Sequence, residues 1–248
     1  KGAVLAHAPL RRPKLSAEAL AAVRFAPVNQ IARWASLAML LAVTACAAYD
    51  GSRFLKDVVL SERNFYGVIR VKEYGHPGAP FYLRRLVHGV IMHGEQYLEG
   101  EKRRQPTTYY LPTSGVGVAI AAAKSRGPVK VGVIGLGTGT LAAYGRKGDT
   151  VRFYEINPQV VAIARKQFTY LSDTEAQVEM ALGDARLTLE REAPQGFDVL
   201  AVDAFSSDSI PVHLITTEAL AVYLRHMKPG GVVAFHVSNR FLSLPPVV

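Results

Sequence analysis

Residues 129–158, VKVGVIGLGTGTLAAYGRKGDTVRFYEINP, set Gly135, Gly137 and Gly139 at alternate positions behind one apolar run and close a second run on Glu155. A glycine turn lets backbone amides approach a ligand closely, and a helix starting there adds positive potential. A carboxylate at the end of the next strand, twenty residues beyond Gly135, can accept both hydroxyls of a ribose. Thr140 stands where the dinucleotide fingerprint needs its third glycine, so the spacing is G-x-G-x-G. The combination predicts nucleoside binding; the bland reading of Glu155 alone is a solvated strand end.

Gly183-Asp184-Ala185 follows a third strand-like run. It falls at the same carboxyl edge, where ligands of open α/β sheets collect. Asp184 can accept a hydrogen bond from an adenine amino group, or cap the helix ARLTLERE, and the two roles are compatible. A nicotinamide enzyme does not call for this third element as readily. Of the seven histidines, His88, His93, His213, His226 and His236 show no close pair at metal-ligand spacing, and Cys46 is the sole cysteine. The sequence therefore supports neither a metal site nor an internal disulfide.

These residues need a scaffold, and the pattern beyond Pro128 supplies one. VKVGVIG, TVRFYEI, VEMALGD, FDVLAVDA and GGVVAFHV read as strands, several nearly continuously apolar as buried parallel strands require. TGTLAAYGR, PQVVAIARKQF, ARLTLEREA and TTEALAVYLRHM read as helices between them. The alternation predicts an α/β fold, a Rossmann-like doubly wound sheet over 109–248. Upstream, NFYGVIRVKEY, FYLRRLVHGV and IMHGEQYL, broken at Gly75-His76-Pro77-Gly78 and Gly89, predict a small antiparallel β unit within 60–100. A helix is expected from Tyr109 to Lys124, weakened at its start by Pro112, Gly115 and Gly117.

The formal charge of +9 would suit nucleic acid or an anionic surface. Much of it is local, because residues 1–33 hold six Lys and Arg against Glu18 alone. Nucleic acid is therefore not expected as a partner. Residues 34–49, WASLAMLLAVTACAAY, carry no charge over sixteen positions, just short of the ~17–25 apolar residues of a usual span. A transmembrane helix is expected, with a buried or interfacial helix and a processed targeting segment as alternatives. The basic flank would put residues 1–33 in the cytoplasm and the rest outside. Lys1 in first place and the ending SLPPVV suggest a fragment at both ends.

Together GLGTGT, FYEINP, LGDA, FDVLAVDA and LRHMKPGGVVAFHVSN resemble the motif series of class I S-adenosylmethionine-dependent transferases. LVHGVIMHGEQYLEG and FDVLAVDAFSSDSIPVHLITTEAL sharpen this to a resemblance to the spermidine synthases over residues 64–239. RNFYGVIRV, HGVIMHGEQ and PTTYYLPTSGVG look most like the spermidine synthase-like proteins fused behind transmembrane helices. The resemblance implies Gln96 beside the thioether nucleoside, Asp203 as the carboxylate that orients or deprotonates the attacking amine, Asp208 as a second carboxylate, and Tyr109 or Tyr110 in the place of a family tyrosine. The competing role for Asp203 is a strand-end cap. A neutral amine must attack in line beside a sulfonium, so a nearby carboxylate both takes a proton and holds a cation.

The departures bear on substrate. The Asp-Glu pair and Tyr-His-Glu triplet that the family uses to hold the diamine are replaced by EGEKRRQPTTYY, with Lys102, Arg103 and Arg104 nearby. A diamine gains little there, since a cation buried without partners is costly. The expectation is an alkyl (aminopropyl) transferase using S-adenosylmethionine or its decarboxylated form as donor and a small-molecule amine as acceptor. The alternatives are a small-molecule methyltransferase and a non-catalytic nucleoside-binding module. A homodimer is left open. Because the donor is cytosolic, the catalytic part is placed on the cytoplasmic side of the inner (cell) membrane, against the charge flank.

Overall fold

A computed structural model describes residues 30–204 and 211–236. The basic segment before Gln30 and the predicted carboxylate Asp208 lie outside the described residues. The chain divides into two compact units, Lys1–Lys56 and Asp57–Val248.

In the first unit, helix α1 spans Gln30–Leu55 and buries none of its side chains. It extends beyond the charge-free run at both ends, taking in Arg33, Asp50 and Arg53. Its 26 residues reach about 39 Å at 1.5 Å each, against a hydrocarbon core of ~30 Å. With a mean hydropathy of 1.7 over its best window, α1 is long and apolar enough to cross a membrane.

The second unit begins with four antiparallel strands in the order β1-β2-β3-β4: β1 Val58–Asn64, β2 Gly67–Tyr74, β3 Leu83–His88 and β4 Ile91–Tyr97. NFYGVIRVKEY is not one strand. Asn64 pairs with Gly67, so Phe65 and Tyr66 form a two-residue turn, and VVLSERN before it is a further strand. Only its first three residues, Val58, Val59 and Leu60, are apolar, and the polar run Ser61 to Asn64 hid it. Ile69, Val71 and Leu86 are the buried face of this sheet, and they pack on Ile163 and Phe168.

The larger sheet contains β5 Lys130–Ile134, β6 Thr150–Glu155, β7 Gln177–Leu182, β8 Phe197–Val202 and β9 Met227–Phe235. All are parallel, in the order β7-β6-β5-β8-β9. The order reverses at β5, so the carboxyl ends of β5 and β8 open a crevice. Helices α2 Gly115–Lys124, α3 Pro158–Gln167, α4 Tyr170–Asp173, α5 Ala185–Arg191 and α6 Thr217–Arg225 complete the unit. Their starts are written in the sequence. Ser114, Asn157, Asp184 and Thr216 each accept an N–H of the first turn, and Pro158 supplies a preset dihedral at the head of α3. Val131, Val133, Phe153, Val199 and Ile120 are almost wholly buried in the core between sheet and helices.

Two helix expectations are corrected. The expected α-helix after the glycine turn is a 3-10 turn, Thr140–Tyr144, bounded by left-handed Gly139 and extended Gly145. It is too short to bring a full helix dipole to the crevice. Tyr109 does not belong to α2; it lies in a separate 3-10 turn, Thr108–Tyr110, and α2 starts where Ser114 caps it.

Candidate functional site

The crevice at the head of β5 is a cavity of about 140 Å³. One wall comes from the glycine turn and the ends of β6 and β8, the other from Tyr66, His88 and His93 of the small sheet. Gly135 has φ 98°, and a Cβ there would lie 2.3 Å from the Asp203 carbonyl oxygen. A Cβ on Gly137, φ 55°, would lie 2.6 Å from the His93 carbonyl oxygen. The close approach that calls for these glycines is thus already made by protein backbone, from β8 on one side and β4 on the other. Both glycines line the cavity; Gly139 does not, and packs toward Leu171.

Glu155 closes β6 with its carboxylate buried at the cavity wall. Its Oε2 accepts the Leu136 N–H at 3.0 Å and its Oε1 the Asn157 N–H at 2.8 Å. Burial pushes its pKa up, partly countered by N–H donors from Asn157, Leu136 and Ile156. A carboxylate offers about four acceptor sites, so acceptor capacity remains for hydroxyls in the cavity. Asp184 caps α5 through Oδ1 to the Leu187 N–H at 2.9 Å. Its Oδ2 meets His213 Nε2 at 2.9 Å, and both residues line the cavity. The structure therefore brings Gly135, Gly137, Glu155 and Asp184 together.

Gln96 is placed elsewhere. Its side chain is fully buried: Nε2 donates to the Arg103 carbonyl at 2.9 Å and to Thr169 Oγ1 at 2.7 Å, while Oε1 accepts the Thr169 N–H at 2.8 Å. All of its capacity toward this junction goes into tying β4 to the residue preceding α4. It does not line the cavity, where the family resemblance would place it.

Asp203, just beyond β8, lines both this cavity and a second one of about 420 Å³. The second is walled by Tyr109, Tyr110, Ser114, Val232, Phe235 and His236. The Tyr110 phenol donates to Asp203 Oδ2, and His236 Nδ1 lies 2.7 Å from Asp203 Oδ1. Tyr109 stacks on the His236 ring with centroids 4.0 Å apart and contacts Tyr110 at 4.6 Å. Burial first, then the Asp203 charge, pushes both phenol pKa values well above the ordinary range, so both stay protonated. The structure thus brings Asp203, Tyr109 and Tyr110 together, with the Tyr110 phenol donating to the carboxylate.

Three further residues at the site escaped sequence reasoning: His93, His213 and His236. His93 lines the first cavity, and its Nε2 is buried without a hydrogen-bond partner among the described residues. Burial, then His88, lowers its pKa, so the ring is neutral near pH 7. These histidines have no metal-ligand spacing in sequence; they converge through sheet topology. Among the described residues no cluster of His, Cys, Asp or Glu could hold a metal.

A crevice at the switch point of an open α/β sheet, lined by a glycine turn, a strand-end Glu and a third-strand Asp, is where such sheets collect their ligands. No protein-family model matches the chain. A polyamine aminopropyltransferase of Vibrio vulnificus is 30% identical over 119 residues, 46% of this chain and 38% of that protein. The crystal structure of spermidine synthase from Thermotoga maritima aligns with a TM-score of 0.54 and 20% identity, covering 75% of this chain and 58% of that one. The chain spans well under two thirds of either relative. Over those 119 residues its sequence is similar to that of a polyamine aminopropyltransferase, and its fold is similar to that of a spermidine synthase.

Proposed function

We propose that the chain is a membrane-anchored transferase that binds an adenosyl sulfonium at the head of β5 and passes an alkyl group, by analogy with its relatives an aminopropyl group, to a small-molecule amine. The observation that carries this reading is the position of Asp203, whose carboxylate lies at the meeting of the two cavities. Glu155 receives the ribose hydroxyls, Asp184 the adenine end, and the Gly135–Gly137 turn accommodates the thioether arm. Asp203 and Tyr110 stand where the nucleophile must approach. Excess positive charge on a sulfonium is favoured beside Asp203, which supports in-line attack from the second cavity.

Methyl transfer from S-adenosylmethionine is the second reading, and one observation favours it. Of the carboxylates lining the first cavity among the described residues, Asp184 is taken by His213 and Asp203 by Tyr110 and His236. The free ammonium of a decarboxylated donor would have to share them. Calorimetric titration with S-adenosylmethionine, its decarboxylated form and methylthioadenosine separates the readings. Preference for the decarboxylated form supports aminopropyl transfer, preference for the carboxylated form supports methyl transfer, and no binding contradicts both.

The anchor in this reading is α1. It places the transferase at the cell membrane, with the donor reaching it from the cytoplasm, where adenosyl sulfonium compounds are made.

A further inference from the structure

Asp184 is held from two sides by the protein itself. Oδ1 accepts the Leu187 N–H at 2.9 Å, the cap of α5, and Oδ2 lies 2.9 Å from His213 Nε2. A carboxylate offers only lone pairs, so the hydrogen of the second contact is on Nε2 and the imidazole is the donor. We propose that His213 sets the base selectivity of the nucleoside site, fixing the Asp184 carboxylate as a hydrogen-bond acceptor that favours a 6-amino purine over a 6-oxo one. This inference rests on the nucleoside reading above and names the positioning residue that decides which base it takes.

His213 is itself a fixed donor. It belongs to the 3-10 turn Val212–Leu214, which is tied to both neighbouring helices. The His213 carbonyl accepts from Arg186 Nη1 of α5 at 2.9 Å, and the Leu214 carbonyl accepts the Tyr223 phenol of α6 at 2.9 Å. Arg186 is braced in turn by Glu190, one helical turn on, at 2.9 Å. Leu214 is buried in one apolar cluster with Ala185, Leu189 and Tyr223. The same helix, α5, thus carries the Asp184 cap at its head and the arginine that holds the His213 backbone, so ring and carboxylate keep one mutual arrangement.

Each carboxylate oxygen has two lone pairs, and the cap and the imidazole take one on each. Acceptor capacity therefore remains on Asp184, which lines the first cavity beside Ala185, Pro211, His213 and Leu214. The apolar surface of Ala185, Pro211 and Leu214 suits the faces of a flat base, and the carboxylate supplies the polar contact that orients it. An exocyclic amine donates to that carboxylate. A carbonyl oxygen in its place sets acceptor against acceptor, the repulsive element that selectivity needs. Without His213 the carboxylate is free to turn, and part of the gain on binding goes into immobilising it. The His213 side chain is 49% exposed, so substitution there costs the fold little and reports on the site.

The test measures the affinity of the full-length, detergent-solubilised chain for methylthioadenosine and for methylthioinosine, its 6-oxo counterpart, in the unaltered, His213→Ala and His213→Gln forms. The unaltered chain should prefer the adenosine by about 10- to 100-fold, as a hydrogen bond to a charged group allows. His213→Ala should narrow that preference by about 3- to 10-fold, the usual penalty for immobilising a side chain on binding, chiefly by weakening the adenosine. His213→Gln, whose amide nitrogen replaces Nε2 as donor, should restore it. A role in packing alone would weaken both ligands alike, so an unchanged ratio in His213→Ala would overturn the proposal and leave the nucleoside reading intact. Equal affinity of the unaltered chain for the two ligands would do the same. Failure of the unaltered chain to bind either would sink the nucleoside reading and the selectivity with it. If His213→Ala does not fold, nitrogen-15 spectra of the unaltered chain with methylthioadenosine decide: an Nε2-protonated His213 supports the donor role, and an Nδ1-protonated ring overturns it.

Discussion

The Glu155 carboxylate accepts the Leu136 N–H at 3.0 Å, so the residue proposed to receive a ribose also fixes the middle of the glycine turn. Glu155→Ala therefore removes two things at once, the proposed ligand contact and the acceptor of two buried N–H groups, those of Leu136 and Asn157. The expected result is loss of methylthioadenosine binding by at least about 100-fold, with destabilisation of about 1–3 kcal/mol from each stranded donor. Glu155→Gln keeps an acceptor for only one of the two N–H groups and should recover part of the stability but not the affinity. Calorimetry and denaturant unfolding read the two effects separately.

The pKa of Glu155 is raised by burial above its ordinary 4.5. A raised carboxyl favours the folded state below its unfolded value, and that contribution is lost as pH rises through the folded value. Ligand binding runs the other way, since the ionised form is the better acceptor of ribose hydroxyls. Methylthioadenosine affinity should fall as pH drops from neutrality toward the raised value, and Glu155→Gln should abolish that dependence. A flat profile in the unaltered chain would contradict the contact.

His93 buries an unpartnered Nε2 in the cavity wall. Such an atom costs stability until something pairs with it. His93→Leu should leave the thermal midpoint of the ligand-free protein equal or higher, and should lower donor affinity. A clear drop in the midpoint, with affinity unchanged, would make His93 a packing residue only.

Asp149 and Lys124 form a buried ion pair at 2.7 Å, with side chains 4% and 9% exposed. Burial opposes ionisation of Asp149, but Lys124 and the N–H groups of Val129 and Arg146 outweigh it and its pKa is lowered from 3.8. A lowered carboxyl contributes stability that is present above its unfolded value and lost as pH falls through the folded one. Asp149→Ala should cost about 3–5 kcal/mol, because Lys124 is left buried without a counter-charge, and the loss of stability as pH falls below the ordinary carboxylate range should shrink. Acid-unfolding curves of the two proteins check this.

Much of this arrangement was legible in the sequence. Val131, Val133 and Val199 announce buried parallel strands by being apolar without alternation, and Asn157-Pro158 and Asp184 announce helix starts by cap chemistry. Glu155 and Asp184 could be assigned because each ends a strand at a fixed edge of the sheet. Gln96 could not be placed, because its two faces on β4 differ only in whether they meet α4 or the crevice, a matter of tertiary packing. His236 was invisible for a related reason: its partner is 33 residues away, at the end of the neighbouring strand. Parallel pairing brings such residues together without any local signature.

Helix α1 predicts where the chain resides. The full chain should pellet with membranes and resist alkaline carbonate, and deletion of residues 30–55 should release it to the soluble fraction. Release of the unaltered chain by carbonate would remove the spanning reading.

The most direct test of the transfer account is a product assay on the full-length, detergent-solubilised chain given decarboxylated S-adenosylmethionine and a panel of amines, with Asp203→Asn alongside. The account predicts methylthioadenosine released in equal amount to an aminopropylated amine, and a rate at least about 100-fold lower in Asp203→Asn with methylthioadenosine binding retained. An Asp203→Asn protein as fast as the unaltered chain, or S-adenosylmethionine yielding S-adenosylhomocysteine and a methylated amine instead, would contradict it.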